Sequence, residues 1–324
     1  MRLLITRPMP QAVEERAKAA FDLEIRPLNT PLSEPEMIRA LAEFDAVIPT
    51  LGDQFSAAVF EQVPAPQCRL LANFGVGYNH IDVQAAAAVG VQVSNTPGAV
   101  TEATADIGMT LMLMSARRAS EGERLLRSGK WAGWHPTQML GLHVSGKTVG
   151  IVGMGRIGQA VAQRCHFGFG MKVRYFSRSP KELDYPAEQV GELGDLAASV
   201  DVLVIAVPAG PETHHLINAA VFDRMRRSAH LINIARGDIV DEAALINALQ
   251  ARDIAGAGLD VYEFEPDVPE ALRQMEQVTL LPHMGTAALD VRVNMGNMAL
   301  DNVAAFAASG QLPNLIENTR PVRG

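Results

Sequence analysis

Lys147-Thr-Val-Gly-Ile-Val-Gly153-Met-Gly155-Arg-Ile-Gly158 decides the fold. Its apolar run, with Thr148, Val149, Ile151 and Val152, breaks into G-x-G-x-x-G and then into the helical pattern Ile157, Ala160, Val161, Arg164. That order predicts a strand, a tight glycine turn and a helix N-terminus, as a dinucleotide requires. Gly153 permits the turn, Gly155 lets a pyrophosphate approach the backbone, and Gly158 lets the helix close on the strand. The free N–H groups and the dipole at the helix start favour phosphate charge. A lone G-x-G-x-x-G is a weak signal in a chain with 27 Gly. Here a Gly168-Phe-Gly170 turn and a second strand, Lys172-Val-Arg-Tyr-Phe176, complete a βαβ unit of the expected ~30 residues.

The end of that second strand bears on which dinucleotide is bound. An acidic residue roughly 20 positions on would bond the ribose 2′-hydroxyl of NAD. Here the place holds Ser177, followed by Arg178 and Ser179, with Lys181 close behind. No carboxylate repels a 2′-phosphate there, and a guanidinium with two hydroxyls can hold one. This favours NADP(H) and leaves NAD(H) possible. The same residues would also suit a solvated basic turn.

The chain has 324 residues, 48% hydrophobic and 20% charged, which suggests two domains with ample core. A net charge of −8 argues against nucleic acid and anionic membranes as partners. A small anionic substrate stays compatible, since one pocket can be basic on an acidic protein. Cys68 and Cys165 lack metal or redox spacing and read as reduced, buried side chains of a cytoplasmic protein. Met1-Arg-Leu-Leu-Ile-Thr6 reads as a strand, because Arg7 and Pro8 interrupt it too soon for a signal peptide. No apolar stretch of about 18 residues offers a membrane span.

The first hundred residues alternate strand and helix. Strands are expected at Leu3–Thr6, Ala46–Pro49, Leu70–Phe74 and Val91–Val93, with helices at Gln11–Phe21 and from the capping box Ser33-Glu-Pro-Glu36 to about Leu41. The glycine loop Gly75-Val-Gly77-Tyr-Asn-His-Ile-Asp82 leads into a helix of alanines. This is a small parallel α/β unit. One long helix is expected from about Thr101 to Gly129, its methionines serving as core. Trp131-Ala-Gly-Trp134-His-Pro136 then suits either a dimer contact or a linker.

In the second half, strands at Val202–Val207, His230–Ala235, Ala257–Val261 and Gln277–Leu281 extend a doubly wound sheet, and a helix at Asp290–Ser309 follows. Ligands are expected beyond the carboxyl ends of such strands. Arg236, then Asp260 and Glu265, then His283 stand just past three of those ends. Singly, each could be a surface ion pair, a loop charge or a helix cap. Together they are what reduction of a 2-keto acid needs. Arg can grip a carboxylate with two parallel bonds, His can protonate the carbonyl oxygen, and a carboxylate can orient the imidazole and favour its charged form. The hydride comes from the cofactor. The other seven histidines, His214 and His215 among them, lack this placement and read as structural, and no cluster has metal spacing, so no metal is expected.

Along nearly its whole length the chain resembles the D-isomer-specific 2-hydroxyacid dehydrogenases, and most of all their glyoxylate/hydroxypyruvate reductase branch. The matching segments are Asn73–Asp82, Asn95-Thr-Pro-Gly98, Thr101-Glu-Ala-Thr-Ala-Asp106, Gly153–Gly158, Ile234-Ala-Arg236-Gly237, Val240-Asp-Glu242, Gly258–Pro266 and Pro282-His283-Met-Gly285-Thr286-Ala. The resemblance implies two doubly wound α/β domains. A Rossmann domain over 100–287, with a dimerisation arm near 117–146, is inserted into a flavodoxin-like substrate domain made of 1–99 and 288–324. It makes Arg236, Glu265 and His283 the catalytic set. Leu51, Val76 and Gly77 would contact the substrate along with Arg236 and His283. The cofactor would be lined by Thr104, Gly153, Gly155, Arg156, Ile157, Gly158, Ser177, Arg178, Ser179, Val207, Pro208, Thr213, Ile234, Ala235, Arg236, Asp260, His283 and Gly285. It also implies a homodimer, with the arm around Trp131–Leu140 crossing to the partner. Gln138 stands where some relatives place a Trp, and Val76 where phosphite dehydrogenases carry a Lys, which argues against phosphite.

The expected activity is NADPH-preferring reduction of short 2-keto acids, glyoxylate to glycolate and hydroxypyruvate to D-glycerate. The alternatives are a dehydrogenase of bulkier or aromatic 2-keto acids and a non-catalytic NAD(P)-sensing protein on the same fold.

Overall fold

The computed structural model describes residues 1–317. Residues 318–324, the end of the expected 288–324 segment, lie outside the described residues. The chain forms two compact units, Met1–Val100 with the segment from Thr286 onward, and Thr101–Gly285.

The first unit runs β1 (Arg2–Ile5), α1 (Gln11–Ala20), β2 (Asp22–Ile25), α2 (Glu34–Glu43), β3 (Ala46–Ile48), α3 (Ala57–Glu61), β4 (Leu70–Ala72), α4 (Val83–Ala88) and β5 (Gln92–Ser94). Its five strands are all parallel, in the flavodoxin-like order β2-β1-β3-β4-β5. Successive side chains of a strand face opposite sides, so the apolar runs supply two cores. Leu4, Val47 and Leu71 pack with Met37, Leu41, Phe44 and Phe60 on one face. Leu3, Ile5, Ile48 and Leu70 pack on the other with Val13 and Ala17. The expected capping box opens α2, with Ser33 N and Oγ both 2.8 Å from Glu36 Oε2.

The second unit runs α5 (Thr101–Ala116), α6 (Ala119–Arg127), β6 (Thr148–Val152), α7 (Arg156–Gln163), β7 (Lys172–Phe176), β8 (Ala187–Gln189), α8 (Leu193–Ser199), β9 (Val202–Ile205), α9 (Ala219–Phe222), β10 (His230–Asn233), α10 (Glu242–Ala251), β11 (Gly256–Leu259), α11 (Glu270–Gln274) and β12 (Val278–Leu280). Seven parallel strands follow the order β12-β11-β10-β9-β6-β7-β8. The winding reverses between β6 and β9, the switch point where a doubly wound sheet opens a ligand crevice. α12 (Leu289–Ser309) belongs to the first unit. It lies so close to α1 that a Cβ on Gly296 would stand 2.6 Å from Val13 Cγ1.

The single helix expected from Thr101 to Gly129 is two. Arg118 adopts a left-handed backbone, φ 55°, that no helix continues. The chain returning at Leu142 donates its N–H to Ala116 O at 2.8 Å, taking a carbonyl at the end of α5. Among the described residues no helix is long and apolar enough to cross a membrane.

Candidate active site

Arg236, Glu265 and His283 all belong to the second unit and follow β10, β11 and β12. A buried Asn233 closes the turn after β10. Its amide donates to Arg236 O at 2.8 Å, and its carbonyl oxygen accepts the Ala235 N–H at 3.0 Å. Arg236 Nη1 donates to Ala235 O at 2.6 Å, while its buried Nε finds no partner among the described residues. Burial lowers the Arg236 pKa, partly offset by Glu265 and Asp238. A guanidinium held this way retains unspent donors for an anion.

Gly237 comes next, and no other residue fits there. A Cβ would lie 1.8 Å from the carbonyl carbon of Tyr262. The turn after β10 is thereby pressed against the segment that carries Glu265. Tyr262 N donates to Glu265 Oε1 at 3.0 Å, and Glu265 Oε2 lies 2.8 Å from His283 Nδ1. Burial would raise the Glu265 pKa. The hydrogen bond and charge of His283, the Tyr262 N–H and Arg236 together bring it below the ordinary carboxylate value. With Nδ1 facing the carboxylate, Nε2 is the nitrogen left for a substrate.

His283 sits in the left-handed region, φ 52°. Asp260 holds it there. The Asp260 carbonyl accepts the His283 N–H at 2.9 Å, Oδ1 accepts Met284 N at 2.6 Å, and Oδ2 accepts Gly285 N at 2.8 Å. Asp260 is buried, and burial raises its pKa. Gly285 O in turn accepts from the buried Thr104 Oγ1 at 3.2 Å. Asp260, Thr104 and Gly285, which the family resemblance places along the cofactor, brace the histidine loop. The sequence reading missed Asn233 and Tyr262, whose only signal was a polar residue ending a buried strand and an aromatic beside Glu265.

The glycine turn has the expected close contacts. Gly153 has φ 97°, and a Cβ on it would lie 2.7 Å from Val207 N across the switch point. A Cβ on Gly158 would lie 2.1 Å from Gly153 O. Nothing lies within 4 Å of a Cβ on Gly155, so open space stands over the start of α7, where Arg156 and Ile157 begin the helix. These features fit a dinucleotide pyrophosphate. After β9, Thr213 Oγ1 donates to Pro208 O at 2.9 Å and closes the next loop. Ile234, by contrast, packs against α5, its Cδ1 3.1 Å from a Cβ built on Gly108, and Ala235 is buried. After β7, Ser177 Oγ donates to Ser179 O at 3.1 Å and Lys181 Nζ to Ser179 Oγ at 2.9 Å. Arg178 is exposed and makes no hydrogen bond or ion pair among the described residues.

In the first unit, Asn73 Nδ2 donates to Gly75 O at 3.0 Å and Gly77 O at 2.9 Å, and Asn95 Nδ2 donates to Val76 O at 2.9 Å. The carbonyls of Gly75, Val76 and Gly77 are thus all held by side-chain amides. The N–H groups of Val76 and Gly77 have no partner among the described residues, as an anion-binding backbone nest requires. Leu51 is fixed through its carbonyl, which accepts Arg7 Nη2 at 2.9 Å.

Cys68 and Cys165 are buried and free, and burial pushes both thiols up to about 12. His214, His215 and Glu263, 48 positions apart along the chain at His215 and Glu263, come together in space, with one donor atom from each within 4.8 Å of the others. Their sequence spacing concealed this.

The sequence profile of the D-isomer specific 2-hydroxyacid dehydrogenase NAD-binding domain matches residues 109–285. The glyoxylate reductase of Thermococcus kodakarensis is 41% identical over 329 aligned positions, covering 99% of this chain and 97% of that protein. The glyoxylate reductase of Pyrococcus horikoshii is 40% identical with the same coverage. The crystal structure of an NADPH-dependent glyoxylate/hydroxypyruvate reductase from Sinorhizobium meliloti, in complex with NADP and malonate, matches with a TM-score of 0.86. It is 35% identical, over 100% of this chain and 98% of that one.

Proposed function

The chain belongs to the D-isomer-specific 2-hydroxyacid dehydrogenase family and is an NAD(P)-dependent enzyme of that family, and on that premise we propose that it reduces glyoxylate and hydroxypyruvate with a preference for NADPH. The observation that carries the chemistry is the 2.8 Å contact of His283 Nδ1 with Glu265 Oε2, beside a buried Arg236 with an unpartnered Nε. The observation that carries the cofactor preference is an exposed, uncommitted Arg178 next to Ser177, the position where NAD-binding folds place a carboxylate.

The Gly153–Gly158 turn would hold the dinucleotide, which when bound would supply the hydride for the carbonyl carbon of the keto acid. Arg236 binds the substrate carboxylate and carbonyl oxygen and orients the carbon. His283 Nε2 gives its proton to the carbonyl oxygen as negative charge develops there, which completes the alcohol. Glu265 keeps Nδ1 protonated and stabilises the imidazolium before transfer. General-acid catalysis of this kind contributes ~10²–10⁴-fold. The backbone nest at Val76 and Gly77 and the side chain of Leu51 are assigned to substrate binding on the family resemblance. The second unit is the cofactor domain, and its segment near 117–146 is a dimerisation arm. Support for the arm comes from Leu126, Trp131, Trp134 and Leu140, which expose 62%, 50%, 78% and 68% of their surface.

The test is steady-state kinetics with NADPH and NADH across glyoxylate, hydroxypyruvate, pyruvate and phenylpyruvate. The largest kcat/KM is expected for the two short acids with NADPH. No turnover of any 2-keto acid overturns it, and a preference for phenylpyruvate overturns the substrate assignment alone.

A further inference from the structure

We propose that His214, His215 and Glu263 form a binding site for a divalent transition-metal ion of the zinc class. None of the three is needed for the hydride chemistry above.

Neighbouring side chains of an extended chain point to opposite sides. At His215 the backbone is left-handed, φ 48°, and the two imidazoles are stacked instead, with ring centroids 4.0 Å apart and planes 25° from parallel. His215 N–H donates to Asp238 O at 2.8 Å, which fixes this turn. Glu263 reaches the pair from another loop, its Oε1 2.8 Å from His215 Nε2.

One donor atom from each residue falls within 4.8 Å of the others. Small side-chain rotations bring such a set to the roughly 2.0–2.2 Å bonds that zinc makes with imidazole and carboxylate. The ion would sit between His215 Nε2 and Glu263 Oε1 in place of their direct contact. The carboxylate is also oriented from behind. Glu263 Oε2 accepts the Glu242 N–H at 3.4 Å, and Glu242 Oε1 accepts the Glu263 N–H at 3.3 Å. His214 is exposed and gives the ion an entry path.

Two imidazoles and one carboxylate select Zn²⁺, Co²⁺, Ni²⁺ or Cu²⁺ over Mg²⁺ or Ca²⁺, which want oxygen-rich shells. Three protein donors leave one position for water. Glu263 lies two residues before Glu265, so an ion here would clamp the segment that carries the catalytic carboxylate.

The experiment uses tag-free, chelator-treated full-length protein titrated with Zn²⁺ by calorimetry and with Co²⁺ by visible absorption. One ion per chain is expected, with the intense d–d bands of a low-coordinate cobalt site and a rise in Tm on adding Zn²⁺. His214→Ala, an exposed position, and His215→Ala should each weaken binding by more than about tenfold, the loss that even an outer partner can cause. His135→Ala should bind as the parent does, and circular dichroism checks that each variant is folded. Absence of a stoichiometric ion in the parent overturns the proposal. So does unchanged affinity in both His214→Ala and His215→Ala, or Mg²⁺ binding as tightly as Zn²⁺.

Discussion

His283 Nδ1 and Glu265 Oε2 stand 2.8 Å apart, each side chain 29% exposed. The pair is thus neither wholly buried nor wholly exposed. A wholly buried pair would keep its charges from substrate, and a wholly exposed one would be screened and worth little.

Glu265→Gln should therefore lower kcat by about 10²-fold while changing the KM for the cofactor little. The folded Glu265 pKa lies below its unfolded value of 4.5. The stabilisation from the pair is then complete above pH 4.5 and is lost as pH falls through the lower folded value. Parallel pH–stability curves for the parent and Glu265→Gln below pH 4.5 would contradict this.

Asp260→Asn should damage the site without touching substrate. An amide has one oxygen where two N–H groups, Met284 and Gly285, now donate. One of them would face the amide nitrogen and lose its partner, at a cost of about 1–3 kcal/mol. The expected results are a lower midpoint in urea and a lower kcat, because the loop that carries His283 loosens. Asp260→Asn with parental stability would show that the carboxylate does not brace the loop.

Arg178→Ala should raise the KM for NADPH about tenfold to a hundredfold and leave that for NADH nearly unchanged, since only NADPH carries the 2′-phosphate. Equal losses for the two cofactors would remove Arg178 from the phosphate site.

His230 gives a pH signature unrelated to catalysis. It is buried against Ser115, with Nδ1 2.8 Å from Oγ, and burial depresses its pKa from 6.5 to about 4. The neutral ring is stable in the fold, whereas the unfolded chain takes up a proton below pH 6.5. Stability from this residue is thus full above pH 6.5 and is lost as pH falls to about 4, on the order of 3 kcal/mol in all. Urea unfolding at pH 7.5 and 4.5 should show the parent losing that much more than His230→Gln. Equal losses would mean that the ring is not held neutral.

What the sequence disclosed follows burial. The central strands β6, β9 and β10 are apolar runs and were legible. The edge strands β2 and β8 were not, because Asp22, Glu24, Glu188 and Gln189 face water on strands flanked by a neighbour on only one side. The break between α5 and α6 carries neither Gly nor Pro, only Arg117-Arg118, so helix periodicity ran through it. The positions of Arg236, Glu265 and His283 after β10, β11 and β12 were readable because each follows an apolar strand. Asn233 and the His214–His215–Glu263 group were not, because their roles depend on which turn a backbone makes and on contacts between loops distant in the chain.

The position of α12 has a consequence for synthesis. Strands β1–β5 leave the ribosome first, but Ala299, Leu300 and Val303, which complete the core over Leu3, Ile5, Ile48 and Leu70, come only after residues 101–288. At ~5–20 residues per second that interval lasts roughly 10–40 s. The nascent chain spends it with that sheet face lacking the cover of α12. Truncation before Leu289 would leave that face without Ala299, Leu300 and Val303 for good.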